Sequence, residues 1–297
     1  MLKNLRRNLR QELDFIASRK IDVHELRSVC MTLGPYRNLT TLTASLLFLH
    51  PNCQVLNHAG KRIFSNPRLN FFAGYSDEKF WNFTKYAIQI SKAGRRSGYG
   101  GSIIHSHAFD DKHHMKTAFA KAQGKLVKEH IHTLFWKEPL HTSHQIRKHD
   151  VNLEDLFRRN KYIRFLMPVR NPMDCAKSNK KEGHVRLLCN GNSDTPDTIV
   201  LDAIFDEFLW FEELRTKFPD RFFVYFENEI SRQTLLDIAG FLDLENSAEW
   251  CDRAIEACEI KSTYGYDVEL GNYYRNSVND KFAGYPEFAE KLLRFLK

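Results

Sequence analysis

The run Tyr162-Ile163-Arg164-Phe165-Leu166-Met167-Pro168-Val169-Arg170-Asn171-Pro172-Met173-Asp174-Cys175-Ala176-Lys177-Ser178 changes character twice. Apolar strand formers lead to Arg170, Asn-Pro-x-Asp then turns the chain, and a polar, helix-compatible segment follows. Strand, turn, helix is the resulting expectation. Pro172 suits the first helical position, where its missing N–H is no loss, and Asn171 or Asp174 can cap the free N–H groups there. Arg170 at the strand tip and Ser178 two turns into the helix can converge on one phosphate near the helix N-terminus, where dipole and cation act together. The plainer alternative is a buried strand ending in a salt-bridged arginine.

Working outward, the same alternation recurs. Residues 1–25 contain apolar positions at helical spacing (Leu2, Leu5, Leu9, Leu13, Ile16) among basic ones, which predicts an amphipathic N-terminal helix. A strand over 27–33, a turn at Gly34-Pro35, a helix over 40–49 and a second strand over 54–58 follow. Residues 59–123 are less regular, with aromatic residues at 71–83 and a glycine-rich piece, Gly94-Arg95-Arg96-Ser97-Gly98-Tyr99-Gly100-Gly101, expected to be a mobile loop. Further strands are expected at Lys125–His132, Arg164–Val169 and Arg221–Phe226. Strands separated by helices predict an α/β fold with a mostly parallel sheet covered on both faces, in a single domain over 1–297.

Composition bounds the function classes. The chain has 297 residues, 42% hydrophobic and 27% charged, enough for a sizeable core and unlike a disordered chain. A net charge of +7 admits nucleic acid, an anionic membrane or a phosphorylated small molecule without choosing among them. Six cysteines without a CxxC pair read as free thiols, and with neither a signal core nor a bilayer-length apolar run the expectation is a cytoplasmic protein with no membrane span. His105-Ser106-His107 and His113-His114 lack a further ligand at a recognisable spacing, so no metal is expected.

Three segments carry chemistry. Gly34-Pro35-Tyr36-Arg37-Asn38-Leu39-Thr40-Thr41-Leu42 joins a strand to a helix and offers backbone N–H groups, a guanidinium and two hydroxyls to an anion. It is not the GxxxxGK[ST] loop of nucleoside-triphosphate enzymes. Lys128-Glu129-His130 places a lysine and a histidine on one side of an expected strand, with imidazole suited to accept a proton near neutral pH. His58, His105, His107, His132 and Glu129 are rival bases. The third segment is Arg170 to Ser178.

In this order the segments resemble the sulfotransferases that use 3′-phosphoadenosine 5′-phosphosulfate (PAPS) and release adenosine 3′,5′-bisphosphate (PAP). The resemblance implies a three-layer α/β/α fold with P-loop-like topology. It further implies that Arg37, Asn38, Thr40 and Thr41 hold the 5′-phosphosulfate, and that Arg170 and Ser178 hold the 3′-phosphate. Asn38 and Leu39 stand where that family carries serine and glycine. The Lys-x-His step implies His130 as base, assisted by Lys128 and Arg37. Phe223-Val224-Tyr225-Phe226-Glu227-Asn228 is similar to a family strand whose aromatic borders the adenine, which points to Phe226, and Tyr273-Tyr274-Arg275-Asn276-Ser277 resembles a late basic segment that closes on the 3′-phosphate through Arg275. The expected reaction is in-line transfer to the hydroxyl of a small molecule, carbohydrate or lipid, with residues 59–123 binding the acceptor and the aromatics at 71–83 lining its site. A nucleotide-dependent phosphotransferase is the alternative among enzymes. A basic nucleic-acid-binding module using Arg95-Arg96 and the aromatics at 71–83 is the alternative outside them, although no nucleic-acid partner is expected.

Overall fold

The computed structural model describes residues 2–94, 99–111, 113–122, 124–260 and 264–296, with side chains from residue 8 onward. The chain opens with α1 (Leu2–Ser18), β1 (Ser28–Thr32), α2 (Thr40–Phe48) and β2 (Cys53–Asn57). It continues through α3 (Gly60–Phe64), α4 (Asp77–Ser91), the two-residue β3 (Gly101–Ser102), α5 (His114–Lys121) and β4 (Thr133–Lys137). Next come α6 (Pro139–Lys148), α7 (Leu153–Arg159), β5 (Ile163–Val169), α8 (Pro172–Lys181), α9 (Val185–Cys189), α10 (Asp197–Lys217) and β6 (Phe222–Phe226). Four helices complete it: α11 (Arg232–Phe241), α12 (Ala248–Ala257), α13 (Val268–Lys281) and α14 (Pro286–Leu293).

The six strands form one sheet in the order β3-β2-β4-β1-β5-β6. Every pairing is parallel except the short β2–β3 edge. Because successive strand residues face opposite ways, the buried strands feed two cores. Val29, Met31, Leu134, Trp136, Phe165 and Met167 face the side that also holds residues of α4, α10 and α13. Cys30, Phe135, Val55 and Leu166 face the side holding residues of α2, α11 and α12. Helices thus cover both faces of a mostly parallel α/β sheet, as the alternating pattern predicts. Each fully buried large side chain contributes about 1.5–3 kcal/mol relative to exposure.

The strand-turn-helix expectation at 162–178 holds: β5 ends at Val169, Pro172 opens α8, and Asn171 caps it by accepting the Met173 N–H at 3.0 Å. The expected strand at 125–132 does not form. The strand there is β4, a fully buried Thr-Leu-Phe-Trp-Lys run, and residues 125–132 precede it at the N-terminal edge of the sheet. The Arg27 N–H donates to the carbonyl of His132 at that edge. Segment 59–123 contributes β3 and the core helix α4 as well as wall residues of the cleft described below. Gly94, Tyr99, Gly100 and Gly101 are described, whereas Arg95, Arg96, Ser97 and Gly98 lie outside the described residues. Among the described residues, no helix is long and apolar enough to cross a membrane, and all six cysteines are free thiols.

Candidate active site

In an open parallel sheet, ligands bind beyond the carboxyl ends of the strands. A cleft of about 1120 Å³ lies there, lined from the tips of β2, β4 and β5 and from the loop after β1.

The β1–α2 loop builds one wall. Gly34 has a φ of +89°, and a Cβ there would meet Met167 Sδ at 2.7 Å, so glycine is required for both reasons. Arg37 and Leu39 also adopt left-handed conformations, at φ +62° and +58°. Leu39 therefore takes the geometry a glycine would adopt freely, at a cost of about 1–2 kcal/mol. The loop is held by Asn38, whose Oδ1 accepts the Arg170 N–H at 2.9 Å while its Nδ2 donates to the Pro168 carbonyl. Asn38 is fully buried and does not line the cleft. Thr40, Thr41 and Leu42 open α2 and do line it, and the N–H groups of a first helical turn have no partner within the helix. That turn points a positive dipole end at the cleft.

The β5–α8 junction builds the adjoining wall. Arg170 and Ser178 both line the cleft and both are buried. The Arg170 guanidinium lies 3.3 Å from Asp174 Oδ2 and 3.9 Å from Glu227 Oε2, and its Nε has no hydrogen-bond partner among the described residues. Burial raises the Glu227 carboxyl, with Arg170 opposing. Arg37 reaches across the cleft and donates from Nε to Ser178 Oγ at 2.9 Å. Arg37, Thr40, Thr41, Arg170 and Ser178 are therefore brought together in one hollow.

His130 and Lys128 are not. Five residues of β4 separate them from the cleft end of the sheet, roughly 16 Å at strand rise. His130 is exposed and pairs with Glu25 at 2.9 Å, while Lys128 is buried against the Phe48 ring and donates to the Phe48 carbonyl at 2.8 Å. Neither lines the cleft. Phe226 packs in the core against Phe288 and Phe295, and Arg275 is exposed on α13, so neither reaches it either. Phe71, Phe72, Phe80 and Phe83 are buried in the core, which removes them both as an acceptor lining and as a stacking surface for nucleic acid. Arg95 and Arg96, the basic part of that surface, fall outside the described residues.

At the cleft end of β4 the structure presents Lys137 and Glu138, which the sequence reading missed. Lys137 is buried, its ammonium pushed down to about 8 by burial and by Arg37, with Glu138 opposing. Its Nζ lies 3.1 Å from His58 Nε2. The Glu138 carboxylate is the most heavily engaged group in the cleft. Tyr36 OH donates to it at 3.0 Å and the Gly60 N–H at 2.8 Å, while His141 Nδ1 lies at 3.2 Å and His58 Nδ1 at 3.7 Å. Burial alone would raise its pKa, but hydrogen bonds and charge from His141 and His58 prevail and hold it well below the usual carboxylate range. A Cβ on Gly60 would stand 2.9 Å from Glu138 Oε2, so any larger residue there would displace the carboxylate from its contacts. The Tyr36 hydroxyl is raised by burial and by Glu138. His184, whose ring centroid is 4.9 Å from that of Tyr36, is lowered by burial and by Arg37.

These contacts fix a tautomer for His58: with Nε2 accepting from Lys137, its proton sits on Nδ1, facing Glu138. Lys137 thus occupies the Nε2 lone pair while the Glu138 carboxylate orients the ring from its other side. The signal for Lys137 and Glu138 was present in the sequence, since an aromatic strand run ends there and Pro139 opens a helix. His107 and His113 also line the cleft, but among the described residues no group of three His, Cys, Asp or Glu side chains is arranged to hold a metal ion.

No protein-family model and no curated protein matches the chain. Among solved structures it is similar to the sulfotransferase STF9 of Mycobacterium avium, at 15% identity and a TM-score of 0.45, over 93% of this chain and 79% of that one. It is also similar to the mouse sulfotransferase SULT7A1, solved in complex with PAP, at 12% identity and a TM-score of 0.45, over 96% of this chain and 93% of that one. At such scores the two likenesses assign neither a residue nor a substrate, and the geometry of the cleft has to speak for itself.

Proposed function

We propose that this protein is a sulfotransferase that moves a sulfuryl group from PAPS to a hydroxyl acceptor, releasing PAP. The observation that carries this reading is the convergence of Arg37, Thr40, Thr41 and the α2 N-terminus with Arg170 and Ser178 in the walls of one cleft. Each of two neighbouring strand-helix junctions presents a guanidinium and one or more hydroxyls, enough for the two anionic groups of a single nucleotide, and helix N-termini favour such anions. Arg37, Thr40 and Thr41 hold the 5′-phosphosulfate, and Arg170 and Ser178 hold the 3′-phosphate. Free thiols at all six cysteines support a reducing, cytoplasmic setting.

When bound, PAPS supplies an activated bond between sulfur and the bridging phosphate oxygen. As the Lys137 ammonium moves from His58 Nε2 to the departing phosphate oxygen, the freed Nε2 lone pair takes the acceptor's proton, the acceptor oxygen bonds to sulfur, and the bond to the nucleotide breaks with its electron pair leaving on phosphate. Lys137 and Arg37 stabilise the charge that develops on that oxygen. Glu138 orients His58 and balances the imidazolium that forms. Calorimetry tests the donor: PAP should bind at least about tenfold more tightly than ATP or AMP, each such factor being ~1.4 kcal/mol. Equal affinity for ATP would overturn the reading.

A further inference from the structure

Leu39, Leu42, Leu187 and Ile260 line one part of the cleft, whereas another part is built by α1, β2, α3 and residues 99–111 and 113, and the composition of that second part bears on the acceptor. None of the residues these segments contribute is Phe, Leu, Ile, Val, Met or Trp. Sites for small organic molecules are mostly apolar with a few polar groups, and this wall is the reverse. Asn57 and Ser106, both buried in it, each leave a side-chain oxygen, Oδ1 and Oγ, without a hydrogen-bond partner among the described residues. Buried polar atoms are ordinarily satisfied, so these two oxygens call for hydrogen-bonding groups that the described residues do not supply.

Charge adds a second element. Arg62 is neutralised by Asp14 at 2.6 Å and covered by the Tyr99 ring at 4.2 Å. Lys61, its neighbour on α3, is exposed at the rim of the same wall, and among the described residues its ammonium makes no ion pair or hydrogen bond.

Resting on the proposed sulfuryl transfer, we infer that the acceptor is an anionic saccharide, its hydroxyls facing Asn57, Ser106 and His58 and its acidic group facing Lys61. The Tyr99 ring in this wall already lies over the Arg62 guanidinium, which leaves a phenol or another flat apolar alcohol little surface to pack on.

The test is a two-stage titration of the intact protein. PAP is titrated first. The saturated complex is then titrated with a glucuronic acid–N-acetylglucosamine disaccharide, with lactose as the neutral counterpart and with 4-nitrophenol. The acidic disaccharide should bind most tightly, and Lys61→Ala should weaken it by about tenfold or more while Lys61→Arg retains most of the affinity. Neither variant should alter PAP binding. If 4-nitrophenol binds more tightly, or Lys61→Ala leaves disaccharide affinity unchanged while PAP still binds, the acceptor inference is overturned and the donor reading stands. Failure of PAP itself to bind would overturn both.

Discussion

Arg37 Nε donates to Ser178 Oγ at 2.9 Å, joining the loop after β1 to the helix after β5 across 141 residues of sequence. The two side chains proposed for opposite ends of one nucleotide thus already touch. If both also contact that nucleotide, they must act on its binding jointly. Arg37→Ala, Ser178→Ala and the double variant should therefore give PAP affinities that depart from additivity by ~0.5–3 kcal/mol, the range for residues in one network. Additive losses in calorimetry would mean that the two groups serve the ligand independently or not at all.

Three histidines separate the rival bases. His58→Ala should lower turnover by ~10²–10⁴-fold, the usual effect of losing a positioned acid–base group, with PAP binding retained. His141→Ala removes one support of Glu138 and should cost less. His130→Ala, at the far end of the sheet beside Glu25, should turn over like the parent. A collapse of turnover in His130→Ala with His58→Ala intact would reverse the assignment.

Lys137 makes a pH prediction with two opposite signs. Burial has pushed its ammonium down to about 8, so the charge offered to an anion is present at pH 7 and is lost as pH rises through about 8. Affinity for PAPS should fall across that window, and Lys137→Arg, which stays charged, should flatten the fall. Folding runs the other way. Between about 8 and the ordinary lysine value the unfolded chain binds the proton that the folded chain has released, so stability contributed through this residue rises with pH there. Denaturant titrations at pH 7 and 9 check that slope, and a decline traceable to Lys137 would contradict its burial.

Leu39→Gly addresses the left-handed turn. Relieving a leucine at φ +58° recovers about 1–2 kcal/mol, offset by roughly 0.5–1 kcal/mol of added chain entropy in the unfolded state. The variant should be more stable by up to ~1 kcal/mol in urea denaturation. A clear loss would mean that the partly buried leucine side chain contributes more through packing than the backbone conformation costs.

Much of the architecture was legible because each central strand is an apolar run bounded by turn residues, as at Val169-Arg170-Asn171-Pro172. Loop positions such as Arg37, Thr40 and Thr41 were legible because anion sites recur where a strand feeds a helix. The site beyond β4 was not. Lys128 and His130 sit in a segment that reads as a strand, while the adjacent Thr-Leu-Phe-Trp-Lys run forms one, so the frame was displaced toward the beginning of the strand. A displaced frame sends the side chains to the wrong end of a parallel sheet, and with it the base. Phe226 and the phenylalanines at 71–83 pack in the core for a reason the sequence does not show: an aromatic near a binding motif looks the same in sequence whether it faces a ligand or a core. Leu39 shows the converse, since a residue type unfavourable for a conformation does not forbid it when Asn38, just before it, anchors the loop to Arg170 and Pro168.

The clearance at Gly60 reaches further than one turn. Because the Glu138 carboxylate fills the space a side chain would occupy there, and joins that backbone to Tyr36 and the imidazoles of His58 and His141, the floor of the cleft behaves as a keystone arch. A change at one stone is felt by the others. Altered substrate preference would arise most readily at the margin, at positions such as Lys61 and Ser65, whose side chains bond to no member of the vault.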